Sequence, residues 1–284
     1  LAVHVDRVFG EVLVADTGHG RIVILDEAGT YKFEFSGDEH LASPSGLLVD
    51  SQGRIYVLGS TIDGRVVRVF DFDGVFLETR STDTPDGPCR KITSIALDEA
   101  DNLYVLDDGS FRVCTWDREG RFRHSFDLMS EMDPDERQKQ VVGSLEVIAD
   151  RVYVALSSLG TVAVYDGSGN HVRHIGYRGN SAGELNFPVD VAVQDDLVMV
   201  LDKHRFTVVC FDQGGRFVGE FGGKGQSPGW FYHPTMLEAD GQGQVYVGQI
   251  FQNKIQVCRI PDFIVNGVNA SSWAQESGKP DVQS

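Results

Sequence analysis

The sequence of 284 residues predicts an all-β fold, a six-bladed β-propeller built from four-stranded antiparallel blades. A run of β-branched and aromatic residues recurs six times, at intervals of 43 to 49 residues. A second strand-like run follows each of them about ten residues later. An Asp-x-x-Gly turn then recurs in five of the six units. One unit repeated along the whole chain favours a closed ring of similar sheets over a pair of sandwiches.

Within each unit the strands are predicted in a fixed order. The first strand of a blade precedes the recurring run, as at residues 46–49, 93–97 and 189–193. The recurring runs, which form the second strands, are centred on Leu13, Tyr56, Tyr104, Tyr153, Met199 and Tyr246. The third strands are predicted at residues 22–25, 66–70, 113–116, 162–165, 208–211 and 255–258. The fourth strands are predicted at residues 32–35, 75–79, 121–126, 171–175 and 216–221.

The Asp-x-x-Gly turns join the third strand of a blade to the fourth. They begin at Asp26, Asp71, Asp117, Asp166 and Asp212. An Asp side chain at the start of such a turn accepts a backbone N–H two or more residues later, and Gly takes the positive φ that closes the hairpin. The turn chemistry therefore supports the four-stranded unit.

We expect the propeller to span residues 1–266 and a polar tail to occupy 267–284. The blades are predicted at about 1–36, 44–80, 90–126, 143–176, 188–221 and 234–266. Because the chain starts at Leu1, we expect it to be processed or trimmed. The outer strand of blade six must come either from residues 262–266 or from residues before Leu1.

Two stretches carry a resemblance to a known family. Residues 14–26 read VADTGHGRIVILD, and residues 188–193, at the start of blade five, read PVDVAV. This motif resembles the NHL repeat, and the resemblance covers roughly residues 1–265. It implies a six-bladed propeller with an ion pair across the second turn of a blade, here Asp16 with Arg21 and Asp107 with Arg112. Because propellers host many functions, it does not fix the activity.

Composition excludes several classes of function. The chain has 42 acidic and 25 basic residues and a net charge of −17, which disfavours nucleic acid as a partner. No apolar run approaches the ~18 residues of a membrane span. The four cysteines show no metal-binding spacing, and their positions do not favour a disulfide framework. The acidity fits a bacterial periplasmic or secreted protein, and oligomeric state is not predicted. A local basic patch is expected from Arg90, Lys91, Arg178, Lys203, Arg205 and Lys224.

The predicted strand order places the second turn of every blade and all connections between blades on one face, which we call the connector face. Long loops on a rigid scaffold commonly carry function, so we expect binding there. The insertion between blades three and four starts with Asp133-Pro134, which predicts a two-turn helix with Asp133 as N-cap.

Two inter-blade connections are copies of each other, residues 176–188 and 222–234. The second copy replaces residues 184–187 by four bulky rings at 230–233, of which we expect Phe231 to be buried. Exposed aromatic residues beside Arg and His have the composition of an interface hot spot, although packing within the loop is an alternative. The residues that we expect to contact a partner are Trp230, Tyr232, His233, Phe251, His204 and Arg205.

We therefore predict a non-catalytic scaffold that binds a protein or peptide and needs no cofactor. The family resemblance also raises an alternative, because some related propellers are metal-dependent lyases and some six-bladed folds are calcium-dependent lactonases. Such a site would hold zinc or calcium in the central channel, where Asp190, Glu146 and Glu238 on three first strands are weak candidate ligands.

Overall fold

The computed structural model describes residues 1–36 and 41–267, and within them the chain forms the predicted six-bladed β-propeller. Five blades are four-stranded antiparallel sheets, and each strand pairs with the next strand along the chain. Blade six has three strands within the described residues. The predicted tail lies, apart from its first residue, outside them.

The strands follow the chain from blade to blade. Blade one contains β1 (Ala2–Asp6), β2 (Glu11–Asp16), β3 (Arg21–Asp26) and β4 (Tyr31–Ser36). Blade two contains β5 (Gly46–Val49), β6 (Ile55–Thr61), β7 (Gly64–Phe70) and β8 (Phe76–Arg80). A ribbon of β9 (Asp83–Thr84) and β10 (Gly87–Pro88) leads into blade three, which contains β11 (Ile92–Leu97), β12 (Leu103–Asp107), β13 (Arg112–Trp116) and β14 (Phe122–Asp127).

Helix α1 (Pro134–Arg137) lies in the insertion between blades three and four. Blade four contains β15 (Leu145–Ile148), β16 (Arg151–Leu156), β17 (Thr161–Asp166) and β18 (His171–Ile175). Blade five contains β19 (Pro188–Gln194), β20 (Leu197–Asp202), β21 (Thr207–Asp212) and β22 (Phe217–Gly222). Blade six contains β23 (Pro234–Ala239), β24 (Gln244–Gln249), a short 3₁₀ turn (Ile250–Gln252) and β25 (Lys254–Arg259).

The Asp-x-x-Gly turns have the predicted geometry. All five of their glycines have φ between +79° and +87°. In blade one, Gly29 N–H donates to the Asp26 carbonyl at 2.9 Å. The Asp26 carboxylate accepts the N–H groups of Ala28 at 3.0 Å and Thr30 at 2.7 Å. Gly at the fourth position is therefore a backbone requirement of the hairpin.

The core lies between the faces of neighbouring blades. One cluster joins Leu13 and Ile24 of blade one to Val57 and Phe70 of blade two. The rings of Phe70 and Phe35 are 5.3 Å apart across the same boundary. Burying a large apolar side chain stabilises a fold by about 1.5–3 kcal/mol, so packing between blades is a main source of the ring's stability.

Two local predictions were wrong. Residues 262–266, one of the two expected sources of the outer strand of blade six, belong to a helical segment, 262–267, and the buried Ile264 packs beside Gly219 on the outer strand of blade five. The insertion helix begins as predicted, with the Asp133 side chain accepting Asp135 N–H at 2.9 Å, but it ends at Arg137 after one turn. Arg137 pairs with Asp127 at 2.8 Å, which ties the insertion to blade three.

One of the two ion pairs that the family resemblance implies is present. Arg21 Nε donates to Asp16 at 2.9 Å, as expected. The Asp107–Arg112 prediction was wrong, because Arg112 pairs with Asp86 of the β9–β10 ribbon. The Asp107 carboxylate instead accepts the N–H of Lys91 at 2.9 Å and a hydroxyl hydrogen bond in its own loop. In the described part of the chain, no helix is long and apolar enough to cross a membrane.

Candidate functional site

The two copied connections, which we call the first connector (residues 176–188) and the second connector (residues 222–234), have the same backbone hydrogen bonds. In the first, Gly179 N–H donates to the Leu185 carbonyl at 3.0 Å, and Leu185 N–H donates to the Tyr177 carbonyl at 2.9 Å.

The second connector repeats both bonds at equivalent residues. Gly225 N–H donates to the Phe231 carbonyl at 3.0 Å, and Phe231 N–H donates to the Gly223 carbonyl at 2.8 Å. Phe231 is fully buried, as predicted, and so is Leu185 at the equivalent position. One apolar side chain of each connector, which we call its plug, is therefore buried in the propeller.

An aromatic patch, defined as Trp230, Tyr232, His233 and Phe251, lies on the connector face at blade six. His233 is its centre, because its ring lies 4.6 Å from the ring of Tyr232 and 4.7 Å from that of Phe251, both edge to face. Its φ is +50°, which is uncommon for a residue with a side chain. The side chain of Phe251 is 72% exposed and that of Trp230 is 49% exposed. The patch thus offers apolar ring surface to solvent.

Trp230 also packs against its own loop. A Cβ atom at Gly223 would lie 2.8 Å from Trp230 Cζ3, and one at Gly225 would lie 2.9 Å from Trp230 Cβ. Gln256 on β25 fixes this loop, since its Nε2 donates to the Trp230 carbonyl at 2.7 Å and its Oε1 accepts Gly229 N–H at 3.1 Å. Trp230 is therefore partly structural, whereas Phe251 is mainly surface.

A residue at the end of the second strand anchors each connector. Gln249 is fully buried, and its Oε1 accepts Tyr232 N–H at 2.7 Å. Asp202 has the same place in blade five and accepts the N–H groups of Asn186 at 2.5 Å and Phe187 at 3.1 Å. Sequence reasoning did not find Gln249 or Gln256. The only sequence signal was that Gln249 aligns with Asp202.

The two blade-five candidates differ in what they can offer a partner. His204 is exposed, stacks on Phe187 at 4.6 Å and lies 3.2 Å from an Asn186 oxygen through Nδ1. Only 9% of the Arg205 side chain is exposed. It donates to both oxygens of Glu220 at 2.9 and 2.8 Å and to the Glu184 carbonyl at 2.6 Å. Arg205 therefore holds the first connector to blade five.

Three lysines without an ion-pair partner belong to the loops and strand ends of the connector face in blades five and six. Lys203, Lys224 and Lys254 form no ion pair within residues 1–36 and 41–267. The Lys224 ammonium lies 5.6 Å from the centre of the Phe206 ring, in cation–π contact. The connector face of blades five and six therefore carries three lysines that have no ion-pair partner in the described chain.

The three candidate metal ligands line a cavity of about 240 Å³ in the central channel. Burial raises the pKa of Asp190 to about 7. Burial and the nearby Glu238 carboxylate raise the pKa of Glu146 well above its usual range. Glu238 Oε1 also lies 3.4 Å from Nδ1 of His4, a channel residue that sequence reasoning passed over.

Polar side chains on the first strands bridge neighbouring blades around this channel. Asp190 Oδ2 accepts Leu237 N–H of blade six at 2.6 Å, and Glu238 Oε1 accepts Val5 N–H of blade one at 3.2 Å. Ser94 and Ser144 do the same for blades four and five, accepting the N–H groups of Leu145 at 3.2 Å and Val191 at 3.1 Å. Asp190 and Glu238 thus each add a hydrogen bond between neighbouring blades.

A zinc or calcium site in the channel does not fit these contacts. In the part of the chain that the structure describes, no three His, Cys, Asp or Glu side chains converge in a way that could hold a metal ion. One oxygen of Asp190 and one of Glu238 already accept amide hydrogens from neighbouring blades.

Comparison with known proteins supports the fold and leaves the function open. No protein-family model matches the chain. Protein brain tumor of Drosophila melanogaster is 24% identical over 138 residues, which are 48% of this chain and 13% of that protein. The chain thus spans only a small part of the length of this curated relative. The function of that protein is therefore not assigned to this chain.

Among solved structures, a streptogramin B lyase superposes with a TM-score of 0.61 and 15% identity, over 92% of this chain and 82% of that one. An auxiliary nutrient binding protein from Bacteroides ovatus superposes with a TM-score of 0.65 and 12% identity, over 92% and 69%. Virginiamycin B lyase from Staphylococcus aureus gives 0.60 and 13%, over 91% and 83%. At these identities the likeness shows a shared fold alone.

Proposed function

We propose that the chain is a non-catalytic scaffold that binds a protein or peptide through the aromatic patch on its connector face. The observation that carries this proposal is the exposure of Phe251, 72%, on a ring cluster centred on His233. The first connector keeps the same backbone and an equivalent ring pair, Phe187 stacked on His204 at 4.6 Å. Glu184 and Asn186 stand there in place of Trp230 and Tyr232, so the fold does not require the rings of Trp230 and Tyr232. Exposed aromatic anchors with a polar rim are typical of binding hot spots.

The lysines around the patch indicate the kind of partner. Lys203, Lys224 and Lys254 form no ion pair with carboxylates of the described chain, so an acidic segment could pair with them. Complementary charge mainly raises the association rate and selects among partners. The partner that fits best is therefore an acidic peptide segment with an apolar or aromatic anchor.

The test compares two exposed phenylalanines on opposite faces. Phe251→Ala removes the anchor, and Phe72→Ala is the matched control, because Phe72 is 68% exposed in the β7–β8 turn on the opposite face. Wild-type protein and the Phe72 variant should retain the same polypeptide in affinity purification from the source organism. Its dissociation constant, measured by calorimetry, should rise roughly 30-fold in the Phe251 variant, as for a hot-spot residue.

Equal retention by all three proteins would exclude the patch as the binding site. Because Phe251 is largely exposed, its variant should keep the wild-type melting temperature. Trp230→Ala with Tyr232→Ala should also abolish capture, but Trp230 covers two glycines of its own loop. A large thermal loss in that variant would show that its rings act in packing.

We also infer that the chain is a divergent member of the NHL-repeat proteins. The VADTGHGRIVILD segment and the Asp16–Arg21 ion pair at 2.9 Å support this assignment. An alignment of homologues of this chain in which no blade contained this motif would contradict the assignment.

The alternative, a lyase or lactonase with a metal in the channel, has less support because the candidate carboxylates bridge neighbouring blades. Elemental analysis of the purified protein separates the two functions. Zinc or calcium bound at one equivalent, and lost together with activity in Asp190→Asn, would favour the enzyme.

A further inference from the structure

Two of the four cysteines are in contact inside blade three. Cys114 lies in the middle of β13, and Cys89 directly follows the β9–β10 ribbon, 25 residues earlier. Their sulfur atoms are 3.4 Å apart, and both residues are buried. The remaining pair, Cys210 and Cys258, belongs to blades five and six.

The environment of the pair is apolar. Both cysteines belong to a cluster that includes Val105 and Trp116 of blade three and Leu58 of blade two. The Cys89 thiol donates its hydrogen to Cys114 Sγ. This hydrogen bond raises the pKa of Cys89 and lowers that of Cys114.

The two sulfur atoms differ in how freely they can move. Cys114 is paired on both sides within the sheet, to Val105 and Ser125. The backbone of Cys89 is bonded to the stem of the ribbon, where its N–H donates to the Thr82 carbonyl at 3.0 Å and the Thr82 hydroxyl donates to its carbonyl at 3.1 Å. A disulfide needs the sulfurs at about 2.05 Å, so the two sulfur atoms must approach by roughly 1.4 Å.

We propose that Cys89 and Cys114 form an intrachain disulfide when the protein meets a disulfide oxidant such as oxidised glutathione. The inference is independent of the function proposed above. The sequence alone gives no sign of this pair, because Cys89 and Cys114 are brought together only by the folded ribbon.

The reaction is a pair of thiol–disulfide exchanges. Opening of the ribbon exposes Cys89, whose thiolate attacks one sulfur of oxidised glutathione and releases one glutathione. The Cys114 thiolate then attacks the Cys89 sulfur, forms the Cys89–Cys114 bond and releases the second glutathione. The two protons lost by the protein thiols end on the two glutathione thiols, and the protein is oxidised by two electrons.

The link would fix one loop of the connector face. The ribbon tip already pairs with the sheet through Asp86 and Arg112. A covalent bond at its base would close a loop of 25 residues and restrict the unfolded chain.

The test counts thiols in the full chain. The protein is equilibrated in glutathione buffers of increasing oxidised fraction, quenched with acid, denatured and alkylated, and its mass is measured. We expect two alkylated cysteines out of four at the oxidising end, and one crosslinked peptide pair joining Cys89 to Cys114. Cys89→Ser should abolish the crosslink, whereas Cys210→Ser should retain it.

Four alkylated thiols at every glutathione ratio, including in 2 M urea where the ribbon opens more readily, would overturn the proposal. A crosslink between any other pair would overturn it equally. Circular dichroism checks that the serine variants keep the propeller, and the wild-type count stands without them.

Discussion

The first and second connectors have the same backbone and use their side chains differently. In the first, Glu184 and Asn186 bond to other residues of the same loop, since Ser181 N–H donates to Glu184 at 2.7 Å and Asn186 Nδ2 donates to Asn180 at 2.5 Å. In the second, Trp230 and Tyr232 occupy these two positions and present rings. The comparison separates what the fold requires from what it leaves free. The buried plug, the glycines and the anchor are shared, whereas the outward residues vary.

The largest expected loss of stability concerns the plugs, the buried residues Phe231 and Leu185 beneath the two connectors. Phe231→Ala should lower the free energy of unfolding by about 3–5 kcal/mol, and Leu185→Ala by about 2–5 kcal/mol, because each leaves a cavity beneath its connector. Guanidinium unfolding at 25 °C measures both. Phe231→Leu, which installs the plug of the other copy, should cost less than about 1.5 kcal/mol. A loss below 1 kcal/mol in Phe231→Ala would show that the second connector is held by its exposed rings.

The next largest losses of stability should come from Asp202 and Gln249, the residues whose side chains anchor the two connectors. Asp202→Ala should cost roughly 2–5 kcal/mol, because four backbone N–H groups lose their acceptor, those of Asn186, Phe187, His204 and Arg205. Gln249→Ala removes one such bond and should cost about 1–3 kcal/mol. Urea unfolding of both variants gives the difference, and equal losses would mean that the two anchors are equivalent.

The glycines separate backbone strain from steric exclusion. Gly229 has φ +81° and no atom within 4 Å of an added Cβ, so Gly229→Ala should cost about 1–2 kcal/mol from strain alone. Gly222 has φ +99°, and its Cβ would lie 2.5 Å from a ring carbon of Phe231. Gly222→Ala should therefore cost about 1–3 kcal/mol more. Equal melting temperatures of the two variants would contradict the close approach.

The smallest effect is a pH dependence confined to the first connector. The N–H group of Ser181 lowers the pKa of Glu184 below its ordinary value of 4.5. Because the pKa of Glu184 is lower in the folded than in the unfolded protein, its contribution to stability is complete above pH 4.5. This contribution is lost as the pH falls through the folded pKa. The Ser181 amide signal in NMR should follow this titration, and Glu184→Gln should abolish it. The equivalent Ser227 amide should not respond, since Trp230 carries no charge.

The sequence predicted the blades well where a turn demands particular residues. The Asp-x-x-Gly turn, such as Asp26–Gly29, recurs because Asp and Gly suit the hairpin between the third and fourth strands. Both of these strands could therefore be placed from the sequence. The second turn of each blade also needs a positive φ, but the residue there is Gly20 in blade one, Phe111 in blade three and Asn253 in blade six, so no motif is visible.

A repeat pattern could not predict contacts that depend on how a loop folds back onto a blade. The Cys89–Cys114 contact depends on how the ribbon folds back, and the Arg112–Asp86 pair depends on it too. Phe231 was predicted to be buried because four consecutive rings cannot all be exposed. Phe251 was grouped with these rings because the second turn and the connector share a face, but how far each of the other rings reaches solvent depended on their packing.

The side chains that bridge neighbouring first strands become longer around the axis. Serine spans the steps into blades four and five, aspartate the step into blade six, and glutamate the step back to blade one. Blade six has three strands within the described residues and the other blades have four, which is an irregularity at the step from the last sheet to the first. A long, flexible tether at the seam between the last and first sheets can tolerate it, aided by Arg7, which donates to the Ala239 carbonyl at 2.9 Å. The seam is therefore where we expect the ring to part first under mechanical load.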